Sequence, residues 1–154
     1  NSTLVSIACY GFPRESIRFE EYLSDGNNAD EPGWFIQWLQ DRESVRAFVF
    51  EEPWFDIGTP ESYLEAVAWE LDGDSVIAES ATVKRSTIGE NVHVMEGAEI
   101  ADATLDRSIV FENATVEKCE IHGTIIDEGT RIENINLSGA LIGAHTRLTN
   151  GDGS

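Results

Sequence analysis

Val94-Met95-Glu96-Gly97-Ala98-Glu99, Val110-Phe111-Glu112-Asn113-Ala114-Thr115, Ile126-Asp127-Glu128-Gly129-Thr130-Arg131 and Ile142-Gly143-Ala144-His145-Thr146-Arg147 start sixteen residues apart each time. A second aliphatic column, Ile100, Val116, Ile132 and Leu148, keeps the same period, and so does a third, Leu105, Ile121 and Leu137. Within a turn the aliphatic steps are six, five and five residues. Upstream, Ile77, Val83 and Ile88 lead into Val94 by steps of six, five and six. Such steps do not hold one face of an α-helix, so an amphipathic helix is excluded. Three columns imply a three-sided prism. Each turn places one inward aliphatic on each face, and successive turns pair as short parallel strands about 4.8 Å apart.

The fourth position of the six-residue step holds Gly97, Asn113, Gly129 and His145, types that tolerate the positive φ of a corner. The fifth holds Ala98, Ala114, Thr130 and Thr146, small enough for a crowded inner corner. A stacked prism leaves both ends open, so caps or association with other copies are expected.

Outside the repeat the composition changes near Asp72-Gly73-Asp74. All four prolines, four tryptophans and three tyrosines precede it, and Phe111 is the one aromatic after it. The boundary divides the chain into residues 1–74, 75–150 and a tail, 151–154. The Asp72–Ser75 stretch is too short for a flexible tether, so the halves are expected to pack together. Residues 1–74 read as mixed α/β. Leu4–Phe12 and Val45–Phe50 are strand candidates. Glu15–Leu23, with Ile17, Phe19, Tyr22 and Leu23, reads as a helix ending before Gly26. Pro32 opens a second helix with Phe35, Ile36 and Leu39 on one face. Thr59-Pro60 caps and starts a third, carrying Leu64, Val67, Ala68 and Leu71, which Gly73 stops. Trp34, Trp38 and Trp69 lie on these helices as packing residues.

Acidic residues number 29 against 10 basic ones, a net charge of −19, and only Lys84 and Lys118 are lysines. This excludes nucleic acid and anionic membranes as partners. The carboxylates are scattered, which reads as a surface adapted to a salt-rich cytoplasm, where screening shortens repulsion. No apolar run approaches the roughly 20 residues that span a bilayer. Cys9 and Cys119 are too far apart in sequence to imply a disulfide framework or a metal site, and a reducing cytoplasm is the simplest setting.

The repeat resembles the hexapeptide pattern of left-handed β-helices, with two of the three faces shortened to five residues. Trp54-Phe55-Asp56-Ile57-Gly58-Thr59-Pro60-Glu61-Ser62-Tyr63-Leu64-Glu65-Ala66 resembles the W-x-D-I-G-T-P-E-x-Y-L-E-A segment of sugar-1-phosphate nucleotidyltransferases. Ala8-Cys9-Tyr10-Gly11-Phe12 is similar to that family's G-I-Y-x-F strand. Strand, helices, this segment, a helix and then a β-helix succeed one another as in the C-terminal half of the family's longer, thymidylyltransferase- and uridylyltransferase-like members, here of haloarchaeal type. The resemblance implies an α/β partial nucleotidyltransferase domain followed by a left-handed parallel β-helix.

The chemistry that the resemblance implies is transfer of a nucleoside monophosphate from an NTP to a sugar 1-phosphate, with release of pyrophosphate. Asp56 then matches one of two aspartates that hold Mg²⁺, and Tyr10 and Trp54 match positions lining the sugar side of the cleft. The family's G-x-G-T-R loop, its first metal aspartate and its sugar-phosphate lysine are absent from the 154 residues. No transfer is therefore expected from this polypeptide alone, and the chain reads as the C-terminal piece of a longer protein. The β-helix is expected to build a homo-oligomer.

Two other readings stand beside this one. One is a non-catalytic assembly or regulatory module; the other is a hexapeptide-repeat acyltransferase. For the acyltransferase, His93, His122 and His145 occupy different columns, so one metal would not gather all three. His145 also fits a plain corner role. Cys119 sits in the ladder as filler.

Overall fold

The computed structural model describes residues 5–14 and 17–150. The chain divides into two compact units, residues 1–52 and residues 53–154. The tail expected at 151–154 lies outside the described residues.

In the first unit, helices α1 (Phe19–Ser24) and α2 (Pro32–Gln40) pack around Tyr22, Phe35 and Leu39, each at most 4% exposed. Helix α2 starts at Pro32, where the fixed φ of proline suits a first turn and its missing N–H costs nothing. The Phe35 ring meets Tyr22 edge-on with centroids 5.3 Å apart and stacks on Trp38 at 5.9 Å. The Arg42 guanidinium lies 4.0 Å over the Trp38 ring. Trp38 is thus a packing residue, whereas Trp34 is half exposed. Helix α1 starts at Phe19; Glu15, where the sequence places its start, lies outside the described residues.

Neither strand expected in this unit forms among the described residues. In the stretch from Val5 to Phe12, Ala8 takes φ 56°, which breaks an extended run, and Val5 is 87% exposed. Val45–Phe50 pairs with no ladder, and Phe48 is 90% exposed. Apolar β-leaning residues make a strand only where a neighbour takes up their backbone groups. The α/β sheet read from the sequence is therefore absent from the described residues.

The second unit begins with residues 53–59 and helix α3 (Pro60–Leu71). Thr59 and Ser62 form a reciprocal capping box: the Ser62 N–H donates to Thr59 Oγ1 at 3.2 Å and the Thr59 N–H to Ser62 Oγ at 3.1 Å. Asp72 closes the helix in the left-handed conformation at φ 48°. Composition places the boundary after residue 74; in the structure α3 shares a compact unit with the strands C-terminal to it.

Fourteen short strands then wind as a solenoid: β1 (Val76–Ile77), β2 (Thr82–Lys84), β3 (Thr87–Ile88), β4 (His93–Val94), β5 (Glu99–Ala101), β6 (Thr104–Asp106), β7 (Ile109–Val110), β8 (Thr115–Glu117), β9 (Glu120–His122), β10 (Ile125–Ile126), β11 (Arg131–Glu133), β12 (Leu137–Ser138), β13 (Leu141–Ile142) and β14 (Arg147–Thr149). They form three parallel sheets, ordered β1-β4-β7-β10-β13, β2-β5-β8-β11-β14 and β3-β6-β9-β12. The register is the sequence period: Val94, Val110, Ile126 and Ile142 pair in one ladder, Ile100, Val116, Ile132 and Leu148 in the second, Leu105, Ile121 and Leu137 in the third. All are buried in the middle turns, and Ile142, Leu148 and Leu137 are half-buried in the last. Ala98, Ala114 and Thr130 are fully buried, as the small inner corner demands.

The corner at Gly97, Asn113, Gly129 and His145 takes φ between 56° and 67°. Asn113 and His145 lean over the glycine of the turn before; a Cβ on Gly129 would sit 2.4 Å from His145 Nδ1. A second left-handed corner, not flagged by residue type, holds Arg85, Asp102, Lys118 and Asn134. The reason these non-glycine residues accept the strain is visible in the hydrogen bonds. Asp102, Lys118 and Asn134 each donate their N–H to a carbonyl of the previous turn, Lys84, Ala101 and Glu117. The left-handed corner aims the amide along the stack, so these three N–H groups are paired. Charge alternates down this edge. Arg85 grips Asp102 with two 2.6 Å hydrogen bonds, which hold the Asp102 carboxyl below its ordinary range and the guanidinium above its own.

Inside another corner Ser108 and Thr124 use one device. Ser108 Oγ donates to the Asp106 carbonyl at 2.7 Å and accepts the Thr124 N–H at 3.1 Å. Thr124 Oγ1 repeats this with the His122 carbonyl and the Ala140 N–H. Cys119 Sγ donates to the Glu117 carbonyl in the same way, and burial pushes its thiol up, so it is filler, not a nucleophile. Because Ser108 is fully buried, Ser108→Ala strands a buried amide. It is expected to cost about 1–3 kcal/mol, read as a lower urea midpoint with an unchanged m-value.

Candidate functional site

Tyr10, Trp54 and Asp56 are the residues the sequence marks for substrate and metal. Tyr10 is half-buried in the first unit, its ring 6.2 Å from Phe12 and its hydroxyl 3.3 Å from Ser6 Oγ. Trp54 and Asp56 belong to the second unit, on the approach to α3. Trp54 is half exposed, while its neighbour Phe55 packs on Trp69 with ring centroids 5.7 Å apart.

The Asp56 carbonyl accepts the Gly58 N–H at 3.0 Å in a tight turn, and Asp56 is exposed. The helix cap is supplied by Thr59, so the Asp56 side chain is not spent on capping. One anionic oxygen donor of this kind suits Mg²⁺, which keeps several waters and takes one or two carboxylates alongside substrate phosphates. Asp56 fits one share of such a site. No group of three or more potential ligands stands together among the described residues.

The histidines point to separate places. His93 is half-buried on β4 beside the register partners Val76 and Ile109. His145 stands at its corner with Nε2 3.4 Å from Glu128 Oε1. His122 lies on β9 with Nδ1 2.9 Å from Asp106 Oδ2 on β6.

An open groove of about 420 Å³ runs over the outer face of β6, β9 and β12, lined by Thr104, Asp106, Glu120, His122, Asn136 and Ser138. Its two polar rows are in register: Thr104, Glu120 and Asn136 in one, Asp106, His122 and Ser138 in the other. Asn136 Oδ1 accepts the Glu120 N–H at 2.8 Å, which fixes its amide. From the sequence, His122 is legible only as the neighbour of an inward aliphatic. The signal that finds the row is the same sixteen-residue period, one position after Leu105, Ile121 and Leu137.

Among the described residues no helix is long and apolar enough to cross a membrane. A family model described as GlmU-like, C-terminal hexapeptide matches residues 67–148, more than half of the chain. No curated protein matches, and no solved structure does.

Proposed function

The chain belongs to the GlmU-like, C-terminal hexapeptide family, and from that premise we propose that it is the C-terminal portion of a sugar-1-phosphate nucleotidyltransferase whose solenoid, left-handed on this reading, builds a cytoplasmic homo-oligomer. The observation that carries the reading is an order of elements. Trp54–Ala66, with the family's W-x-D-I-G-T-P-E-x-Y-L-E-A pattern, runs through a capped turn into α3, and the hexapeptide match begins within that helix.

In the reaction, a phosphate oxygen of the sugar 1-phosphate attacks the α-phosphorus of an NTP. The new P–O bond gives an NDP-sugar, and the broken one releases pyrophosphate. Such transfer is a matter of positioning and of stabilising charge on the phosphates. Mg²⁺ supplies charge neutralisation there when bound. Asp56 would contribute one carboxylate to its hold, and Trp54, in the same unit, would offer an aromatic face to the sugar. The nucleotide-cradling glycine loop lies outside these 154 residues. The strongly acidic surface accords with a salt-rich cell.

The test is pyrophosphate release with Mg²⁺, a panel of NTPs and a panel of sugar 1-phosphates. The polypeptide that carries this sequence in its native cell is expected to release pyrophosphate with at least one pair, and residues 1–154 alone with none. Release by residues 1–154 alone would overturn the division of labour. Silence of the native polypeptide across the panel would overturn the function and leave an assembly module or an acyltransferase, which the same family also accommodates.

A further inference from the structure

We propose that the groove over β6, β9 and β12 is a second reactive site, in which Ser138 is a nucleophile, His122 its base and Asp106 the group that orients the base, acting on small neutral carboxylic esters. The three residues occupy one register row on three consecutive turns. Parallel in-register strands repeat at about 4.8 Å, so the row is a straight line of side chains on one outer face. Asp106 Oδ2 already holds His122 Nδ1 at 2.9 Å. Anchoring Nδ1 to Asp106 leaves Nε2 free for a proton, and Ser138 is the register partner of His122 on the next turn. A nucleophile, a base and an orienter in that order are what acyl transfer through serine needs, and the constellation is defined by geometry and roles, not by fold.

A fourth group completes the arrangement. Asn136, two residues before Ser138, lines the same groove. Its Oδ1 is tied to the Glu120 N–H. Its Nδ2 is thereby left as a side-chain donor for the oxyanion that forms when Oγ adds to a carbonyl. Glu120 and Asp106 put negative charge around the groove, which selects against anionic esters.

In the step itself, Ser138 Oγ bonds to the carbonyl carbon as its proton passes to His122 Nε2. The tetrahedral adduct collapses with cleavage of the bond to the alcohol, which leaves carrying that proton. Water then releases the acid by the same route and restores Ser138.

The probe is a neutral alkyl fluorophosphonate, whose phosphorus takes the Ser138 Oγ while fluoride leaves. This avoids the background that any exposed histidine gives with activated esters. Peptide mass mapping is expected to find the adduct on Ser138 and on no other serine. Labelling is expected to slow by at least about 100-fold in His122→Ala and by at least about tenfold in Asp106→Asn. All three side chains lie on the outer face, so the variants are expected to keep the wild-type circular dichroism. No adduct on Ser138 in the wild-type chain, or an adduct rate indifferent to His122→Ala and Asp106→Asn, would overturn the proposal.

Discussion

Leu105→Ala is expected to lower the stability of the solenoid by about 2–5 kcal/mol and its midpoint temperature by on the order of 10 °C. Leu105 has no exposed surface and sits in the third inward column between Ile88 of the turn before and Ile121 of the turn after. Truncation removes most of an aliphatic side chain's packing, on the order of 2 kcal/mol in transfer alone. The neighbours are held in strands hydrogen-bonded on both sides, so they collapse little into the space, and a cavity cost is added.

The comparison that isolates the cause is Leu148→Ala. Leu148 faces inward in the last turn but is only half-buried. It is expected to cost less than half as much, because a terminal turn can fray without opening the others. Both variants are compared by urea titration. Equal losses would mean that the inward columns do not form one continuous core.

How far the sequence discloses this molecule depends on how local each cause is. The solenoid is legible because every turn repeats the same demand. Val110 must be aliphatic, Ala114 small and Asn113 tolerant of positive φ for reasons that recur sixteen residues on. Helices α2 and α3 are legible for a related reason: Pro32, Pro60 and Thr59 act within one turn of themselves. Asp102 and Lys118 are hidden as corner residues, because their left-handed backbone is imposed by the direction of an amide towards the turn before and not by residue type. Ile109 and Ile125 are likewise unreadable. They neighbour inward residues in two-residue strands, where alternation predicts exposure, yet they are at most 4% exposed. Val45–Phe50 fails in the opposite direction: its composition is strand-like, but a strand is a property of a pair, and it has no partner strand among the described residues. The site residues divide the same way. The Asp106–His122 contact follows from the period. The role of Asp56 depends on groups brought to it from elsewhere, which no local pattern contains.

That dependence makes Asp56→Asn the most informative change to the nucleotidyltransferase reading. In the complete enzyme the substitution is expected to lower kcat by more than about 100-fold, because a metal-holding group is worth at least as much as the outer partners that merely orient one. Asparagine keeps the size of aspartate and is equally at home in a turn, and the helix cap belongs to Thr59. The exposed carboxylate makes no ion pair in the described residues whose loss would loosen the fold. The substitution therefore removes one negative charge and little else. A hard divalent cation distinguishes sharply between an anionic oxygen and an amide oxygen, so the loss should be partly offset by raising Mg²⁺, with the unfolding temperature unchanged. If Asp56 were only a turn residue, kcat would stay within a few-fold of the wild type at every Mg²⁺ concentration, and the metal assignment would fall even if the enzyme proved to be a nucleotidyltransferase.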